Sequence, residues 1–317
     1  MNPYPPGSLA IVTGGDEGHA PYLRACLNSL AVHNDARLPI HVLDLGLGEQ
    51  TLIWIATTYP DVVVLPASEM AREIDHDIAV MRARDGVAFL PWLPYVLGTM
   101  RKLCLAEWSL SEFWLWLDAD TLLLHPISEL LRMMPPQRNR IYAGRDSARG
   151  LEFHFKDRNP MVRRALARLQ LDQHGPSVMA GPTSWNSGVV LAHAPFYAEL
   201  VQFARRTFLH DYGPYVVGDQ AVVNIAMSLR GLRAAGLPWG VNVSIDLRRQ
   251  QDISLLTGVR SGSGRSLPGL GIAFGGREAD EARLYHFLGI KPLDHPDREH
   301  PVVQLFDWWR EAVPLPA

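Results

Sequence analysis

FWLWLDADTLLLHP, residues 113–126, is an apolar run that breaks at Asp118-Ala119-Asp120 and then resumes. Phe113 to Leu117 is short, aromatic and bounded, which predicts a strand buried on both faces, the kind found in a parallel sheet. Asp118 then sits at its carboxyl end, the rim where open α/β sheets bind ligands. With the two-residue period of a strand, Asp118 and Asp120 point the same way. Two aimed carboxylates repel each other unless a cation lies between them, and a hard divalent ion that also holds a diphosphate is the usual solution. The alternative is a solvated turn whose two acids cap the next segment, because Asp-x-Asp alone is a common pattern.

The surrounding 317 residues are 47% hydrophobic and 20% charged, the composition of a globular protein with a sizeable core. A formal net charge of only -3 gives nucleic acid no electrostatic footprint. No run of about 18 uncharged apolar residues predicts a membrane span. The start MNPYPPGS has no basic region followed by an apolar one, so a cytoplasmic chain is expected. Cys26 and Cys104 fall in helical, apolar patterns, where a free thiol behaves as a small hydrophobe, and neither a disulfide nor a zinc site is expected. Only three of the 30 basic residues are lysines, Lys102, Lys156 and Lys291, so a retained ammonium points to a place where a compact charge suits better than a planar fork.

Outward from the aspartates, the pattern alternates. Leu9 to Thr13 reads as a strand, Gly14-Gly15-Asp16 as a turn, and Leu23, Cys26, Leu27, Leu30 and Ala31 fall at helical spacing. This turn is neither a dinucleotide fingerprint nor a phosphate loop. Pro39 to Leu45 and Asp61 to Leu65 predict two more strands joined by a helix over Glu49 to Thr58, and such alternation argues for a parallel, doubly wound α/β sheet. Ala71 to Pro94 reads as a partly helical excursion that could cover a site, and Gly98 to Ser109 as a helix. A short helix follows Pro126, and Ile141 to Ala143 reads as a strand. From Arg145 to Pro182 the chain is charged, with one helical patch at Met161 to Leu169. Trp185-Asn186-Ser187-Gly188 opens a strand, Val189 to Ala192, followed by an amphipathic helix to about Leu209. Gly218-Asp219-Gln220 starts another helix. Thr257 to Gly276, with seven glycines, reads as a mobile lid or a disordered connector. Leu284 to Leu288 is the last strand, and Pro301 to Ala312 a terminal helix whose Trp308 and Trp309 are expected to pack on the body rather than anchor the chain at a membrane surface, since only Arg310 is nearby.

Taken in order, the chain carries a strand-turn-helix start, Lys102-Leu103, Asp118-Ala119-Asp120-Thr121, Asn186-Ser187-Gly188, Asp219-Gln220 and His286-Phe287-Leu288-Gly289-Ile290-Lys291-Pro292. From about Leu9 to Pro292 this ordered set resembles the family 8 glycosyltransferases, retaining enzymes such as glycogenin and the bacterial lipopolysaccharide galactosyl- and glucosyltransferases. The resemblance implies a GT-A fold, a Rossmann-like, mostly parallel sheet with flanking helices. It implies one domain over 1–317, with a nucleotide-sugar half at about 8–135, an acceptor half at about 136–292 and a C-terminal helix at 301–312.

The same resemblance implies roles. Asp118, Asp120 and His286 would hold Mn²⁺ (or Mg²⁺), an imidazole in the set suiting manganese better. Lys291 would stabilise the leaving nucleoside diphosphate as a point charge, and Gly289 would let the backbone come close. Lys102, Asp118, Ala119, Asn186 and Gly188 would contact the donor, Asp219 and Gln220 would lie beneath the anomeric carbon, and Thr13 and Tyr22 would bind the base. Each has another reading: His286 as a core histidine, Asp219 as a helix cap, Asn186 as the closure of a turn. The chain departs from the family in having one residue, not two, between Gly289 and Lys291, Leu293 in place of tryptophan, and Gly14-Gly15 where a polar turn is common.

The resemblance implies metal-dependent transfer of a hexose from a nucleoside diphosphate sugar, UDP-glucose or UDP-galactose, to a hydroxyl acceptor on a glycan, glycolipid, natural product or protein, with retention. Two other readings compete. A nucleotidylyltransferase needs a basic phosphate loop that Gly14 to Gly18 lacks, and a catalytically silent sugar-nucleotide or partner-binding protein would share the fold.

Overall fold

The computed structural model describes residues 2–66, 71–84, 93–145, 185–215, 218–232, 234–237, 243–246, 252–260, 266–273, 280–281, 284–288 and 292–311. In chain order its elements are β1 (Leu9–Gly15), α1 (Ala20–His33), β2 (Ile40–Asp44), α2 (Glu49–Thr58), β3 (Val63–Pro66), α3 (Arg72–Arg82), α4 (Leu93–Met100), β4 (Phe113–Leu117), β5 (Thr121–Leu123), α5 (Ile127–Arg132), β6 (Ile141–Arg145) and β7 (Trp185–His193). There follow α6 (Ala194–Ala204), α7 (Gly218–Leu229), β8 (Ala235–Gly236), β9 (Val243–Asp246), β10 (Asp252–Arg260), β11 (Ser266–Ala273), β12 (Asp280–Glu281), β13 (Leu284–Leu288) and α8 (Pro301–Glu311). A seven-stranded, mostly parallel sheet in the order β3-β2-β1-β4-β7-β6-β8 is flanked by helices, and two three-stranded sheets, β10-β11-β12 and β5-β13-β9, complete the strands.

The chain divides into two compact units. The first comprises 1–65, 115–136 and 237–317. Its core begins with β1, buried at every position, pairing in parallel with β2 from Ile11↔Ile40 to Gly15↔Asp44. That pairing explains Gly14: a Cβ there would lie 2.5 Å from Leu43 O, so the pair of glycines that reads as a turn is the end of a strand packed too close for a side chain. Helix α1 covers the sheet with Leu23, Cys26, Leu27 and Leu30, all at helical spacing and buried. Against it lies α8, whose Val302, Leu305, Phe306 and Trp309 are buried. Asn28 Nδ2 donates to Trp309 O at 2.6 Å and Asn28 Oδ1 accepts from the Tyr59 hydroxyl, which ties the terminal helix down by a polar contact inside an apolar seam. Of the two tryptophans, Trp309 packs on the body while Trp308 is 40% exposed, because neighbours on a helix face different sides.

Under this seam His33 is fully buried, its ring 5.7 Å from that of Trp309, with no hydrogen-bond partner for either ring nitrogen among the described residues. Burial, then the neighbouring His125, lowers its pKa to about 4, opposed by Asp35. The folded chain therefore keeps His33 neutral while the unfolded chain protonates it near 6.5. Stability contributed by the neutral ring is complete above pH 6.5 and is lost as pH falls towards 4, by up to about 3 kcal/mol. Urea unfolding at pH 7.5 and 4.5 should show this loss in the wild type and a smaller one in His33→Phe.

The second unit comprises 66–114 and 137–236. Strands β6 and β7 pair antiparallel, with a register shift between Ala143 and Gly144, and β6 pairs in parallel with β8. Trp114 packs edge-on against Tyr197 at 4.8 Å, and α6 runs into a π-helical turn, Arg205–Leu209. From that turn Arg205 Nε reaches Asp77 Oδ2 at 2.7 Å, and His210 Nε2 reaches Asp77 Oδ1 at 2.8 Å, which compensates a carboxylate buried on α3.

The excursion at Ala71 to Pro94 is partly helical as expected, containing α3 with Ile74, Ile78 and Met81 buried. Two other expectations change. The helix predicted over Gly98 to Ser109 is two pieces, α4 and a 3₁₀ segment Arg101–Glu107. The lid or connector predicted over Thr257 to Gly276 falls instead, among its described residues, in an antiparallel pair, β10 with β11, which runs from Asp252↔Ala273 to Arg260↔Ser266 with a register shift between Thr257 and Val259. Its glycines hid a strand period, since Gly269 and Gly271 alternate with Leu270 and Ile272. The helical patch at Met161 to Leu169 and Lys156 lie outside the described residues. No helix among the described residues is long and apolar enough to cross a membrane.

Candidate functional site

In the first unit β4 delivers Asp118 from its carboxyl end, and the chain then turns sharply: Thr121 N donates to Asp118 O at 3.0 Å, and the Thr121 hydroxyl to the same oxygen at 2.8 Å. The two aspartates converge through this turn, not through the period of a continued strand. After the turn the apolar run enters the small sheet β5-β13-β9, where β13 pairs antiparallel with β5 and sets His286 opposite Thr121. His286 Nε2 thereby faces Asp118 Oδ2 at 3.5 Å and Asp120 Oδ1 at 3.4 Å.

One ligand atom from each of Asp118, Asp120 and His286 lies within 4.8 Å of the others. Asp120 and His286 are buried and Asp118 is partly exposed. Trp116 Nε1 donates to Asp118 Oδ1 at 2.5 Å, orienting that carboxylate. Two hard carboxylates and a borderline imidazole, crowded and largely removed from water, fit a divalent cation of the manganese or magnesium kind.

The other predicted residues of this unit sit differently. Ala119 is buried, and a Cβ on Gly15 would lie 3.7 Å from its own, so the turn rests against the end of β1. Thr13 is fully buried, its hydroxyl 4.0 Å from Cys26 Sγ, and Cys26 Sγ is 3.7 Å from Thr121 Oγ1. Tyr22 is 5% exposed, its ring 5.1 Å from Phe306, and burial pushes its hydroxyl up to about 12. His19, partly exposed after the end of β1, has its Nδ1 2.7 Å from Asp16 Oδ1, a pairing that sequence reasoning did not single out. Gly289 and Lys291 lie outside the described residues.

The second unit gathers the remaining candidates. Lys102 is 8% exposed; its Nζ donates to Ser187 O at 2.5 Å and lies 3.5 Å from Asp219 Oδ2. Asp219 occupies the first turn of α7, where a carboxylate meets the positive end of the helix dipole, so the capping role and the ion pair coexist. Gly218 before it has φ +65°, and a Cβ there would strike Thr99, which is why glycine opens this helix. Gln220 Oε1 accepts from Ser187 N at 3.2 Å, and Asn186 Oδ1 accepts from Gly188 N at 2.8 Å, closing the local turn foreseen as its other reading. Asn224, also missed, bonds the backbone of Trp185 at both N and O. Its signal was present in the helical spacing from Gln220.

A mostly parallel sheet with an Asp-x-Asp turn at the end of a central strand defines the GT-A type of architecture. No protein-family model matches the chain, and no curated protein matches it in sequence. Among solved structures, the chain is similar to the galactosyltransferase LgtC in complex with donor and acceptor sugar analogues, with a TM-score of 0.59 and 17% identity over 97% of each chain. It is similar to mouse xyloside xylosyltransferase 1 in its apo form, with a TM-score of 0.55 and 12% identity over 88% of this chain and 96% of that one. The glycosyltransferase GlyE of Streptococcus pneumoniae TIGR4 matches at a TM-score of 0.50 and 13% identity over 96% of this chain and 61% of that one. The chain thus has the fold of these glycosyltransferases.

Proposed function

We propose that this protein is a family 8-type, retaining glycosyltransferase that moves a hexose from a nucleoside diphosphate sugar, UDP-glucose or UDP-galactose, to a hydroxyl acceptor in the cytoplasm. The observation that carries the reading is the convergence of Asp118, Asp120 and His286 at the end of a central strand, on a fold shared with glycosyltransferases. Those three residues would hold Mn²⁺ (or Mg²⁺), which when bound supplies positive charge to the diphosphate. Lys291 would add a point charge to the leaving group, and Gly289 the room to reach it. Thr13, Tyr22 and Ala119 would shape the nucleotide side, the first two from within the core, with the partly exposed His19 after the end of β1. Lys102, Asn186 and Gly188 would serve the donor sugar.

In the reaction, the bond from the anomeric carbon to the diphosphate oxygen breaks and a bond to the acceptor oxygen forms, the acceptor proton passing to the departing phosphate oxygen. Asp219 and Gln220 are the candidates for a nucleophile. Asp219 is held beside the Lys102 ammonium and Gln220 Oε1 accepts from Ser187 N, and both contacts lower nucleophilicity. This supports attack from the leaving-group face, with Asp219 and Gln220 stabilising the charge that develops on the sugar. Calorimetry with a panel of nucleoside diphosphate sugars, with and without Mn²⁺, tests the proposal. Manganese-dependent binding of one donor is the expected result; failure of every donor to bind would leave only a silent relative of the fold.

A further inference from the structure

Asn224 is 2% exposed and stands one helical turn beyond Gln220 on α7. Its Oδ1 accepts from Trp185 N at 3.1 Å, while its Nδ2 donates to Trp185 O at 3.0 Å and to Gln220 O at 2.8 Å. A backbone N–H requires an acceptor and a carbonyl a donor, so these partners dictate which way the amide faces. Gln220 repeats the contact one step along, its Oε1 accepting from Ser187 N at 3.2 Å. Residues 185 and 187 present their N–H groups to the same edge of a strand, whose other edge faces β6. Two side-chain amides four residues apart on α7 therefore take the place of a neighbouring strand, Asn224 exchanging N–H and C=O bonds with Trp185 as a paired strand residue would.

What this ladder holds is the segment from Trp185 to Gly188, which carries Asn186 and offers Ser187 O to Lys102. We propose that Asn224 is a positioning residue for sugar transfer: it sets the register between this segment of β7 and the first turn of α7, and so aims Asn186, Lys102, Asp219 and Gln220 together. The inference rests on the glycosyl-transfer reading above. Asn224 touches no donor itself; it acts through Trp185 and Gln220.

The test compares Asn224→Ala with Val223→Ala, a truncation of the adjacent buried position on the same helix. Melting temperature, kcat and KM for donor hydrolysis or transfer, and hydrogen exchange at the Trp185 and Ser187 amides are measured for both and for the wild type. Both variants should melt lower. Asn224→Ala should lose about tenfold to a hundredfold in kcat with KM for the donor within about twofold, the scale expected of groups displaced by roughly 1 Å. Its Trp185 and Ser187 amides should exchange faster, while Val223→Ala keeps the wild-type kcat. An Asn224→Ala enzyme with the kcat of Val223→Ala overturns the positioning role and leaves the transfer reading standing. A wild type that turns over no donor overturns the transfer reading, and the positioning role with it.

Discussion

Asp120→Ala is expected to abolish metal-dependent transfer, by at least about a thousandfold in kcat/KM, while the variant stays folded. Asp120 is the more enclosed carboxylate of the triad, 8% exposed, and its Oδ1 lies 3.4 Å from His286 Nε2. Without it the remaining donors are one carboxylate and one imidazole, too few to hold a hard divalent ion against water. The measurement need not rely on turnover. For the wild type, UDP with Mn²⁺ at about a hundred times its dissociation constant should add about 2.7 kcal/mol to unfolding stability, and the variant should show no gain. In the absence of metal the variant should unfold no more readily than the wild type, because losing one of two facing carboxylates relieves their repulsion. A fully active Asp120→Ala, or one that still gains stability from Mn²⁺, would overturn the assignment of the centre.

Lys102→Met carries the second large effect, on stability as well as activity. The substitution keeps the buried aliphatic stem but takes the ammonium from Ser187 O and from Asp219, itself only 7% exposed. Breaking a buried ion pair from one side costs about 3 kcal/mol, since the remaining charge loses its 3.5 Å contact with the ammonium in a poorly solvated place. Adding Asp219→Asn to Lys102→Met should recover most of that loss in urea unfolding, whereas turnover should stay low, because the ammonium proposed to serve the donor is gone in both. Equal stability of wild type and Lys102→Met would mean that water or another cation replaces the ammonium.

The strand that ends at Asp118 was legible because its apolar run is short, aromatic and bounded, which favours a buried strand. Glu49–Thr58 and the helix opening at Gly218 were legible for the same kind of reason, local period and local punctuation. The convergence of Asp118 and Asp120 came out as expected by a different route, a turn closed by Thr121. For Tyr22 the sequence offered only the base-binding role that the resemblance implies, and the packing of Phe306 from α8 shows in addition that its ring is buried. The β10–β11 pair was missed because glycine carries no hydropathy signal, while an antiparallel ladder needs only backbone groups.

By itself, then, the amino-acid order determined where most of the strands and helices lie, the β10–β11 pair excepted, and which carboxylates stand at a strand's end, since period and chain breakers act over a few residues. Only the tertiary structure decided that His286 faces both aspartates and that Gln220 and Asn224 grip the backbone of β7. The first depends on the register of β13 against β5, the second on which face of α7 lies on a strand. Both are contacts between segments far apart in sequence, chosen by the mutual fit of hydrogen-bond ladders and buried side chains, and no local pattern encodes them.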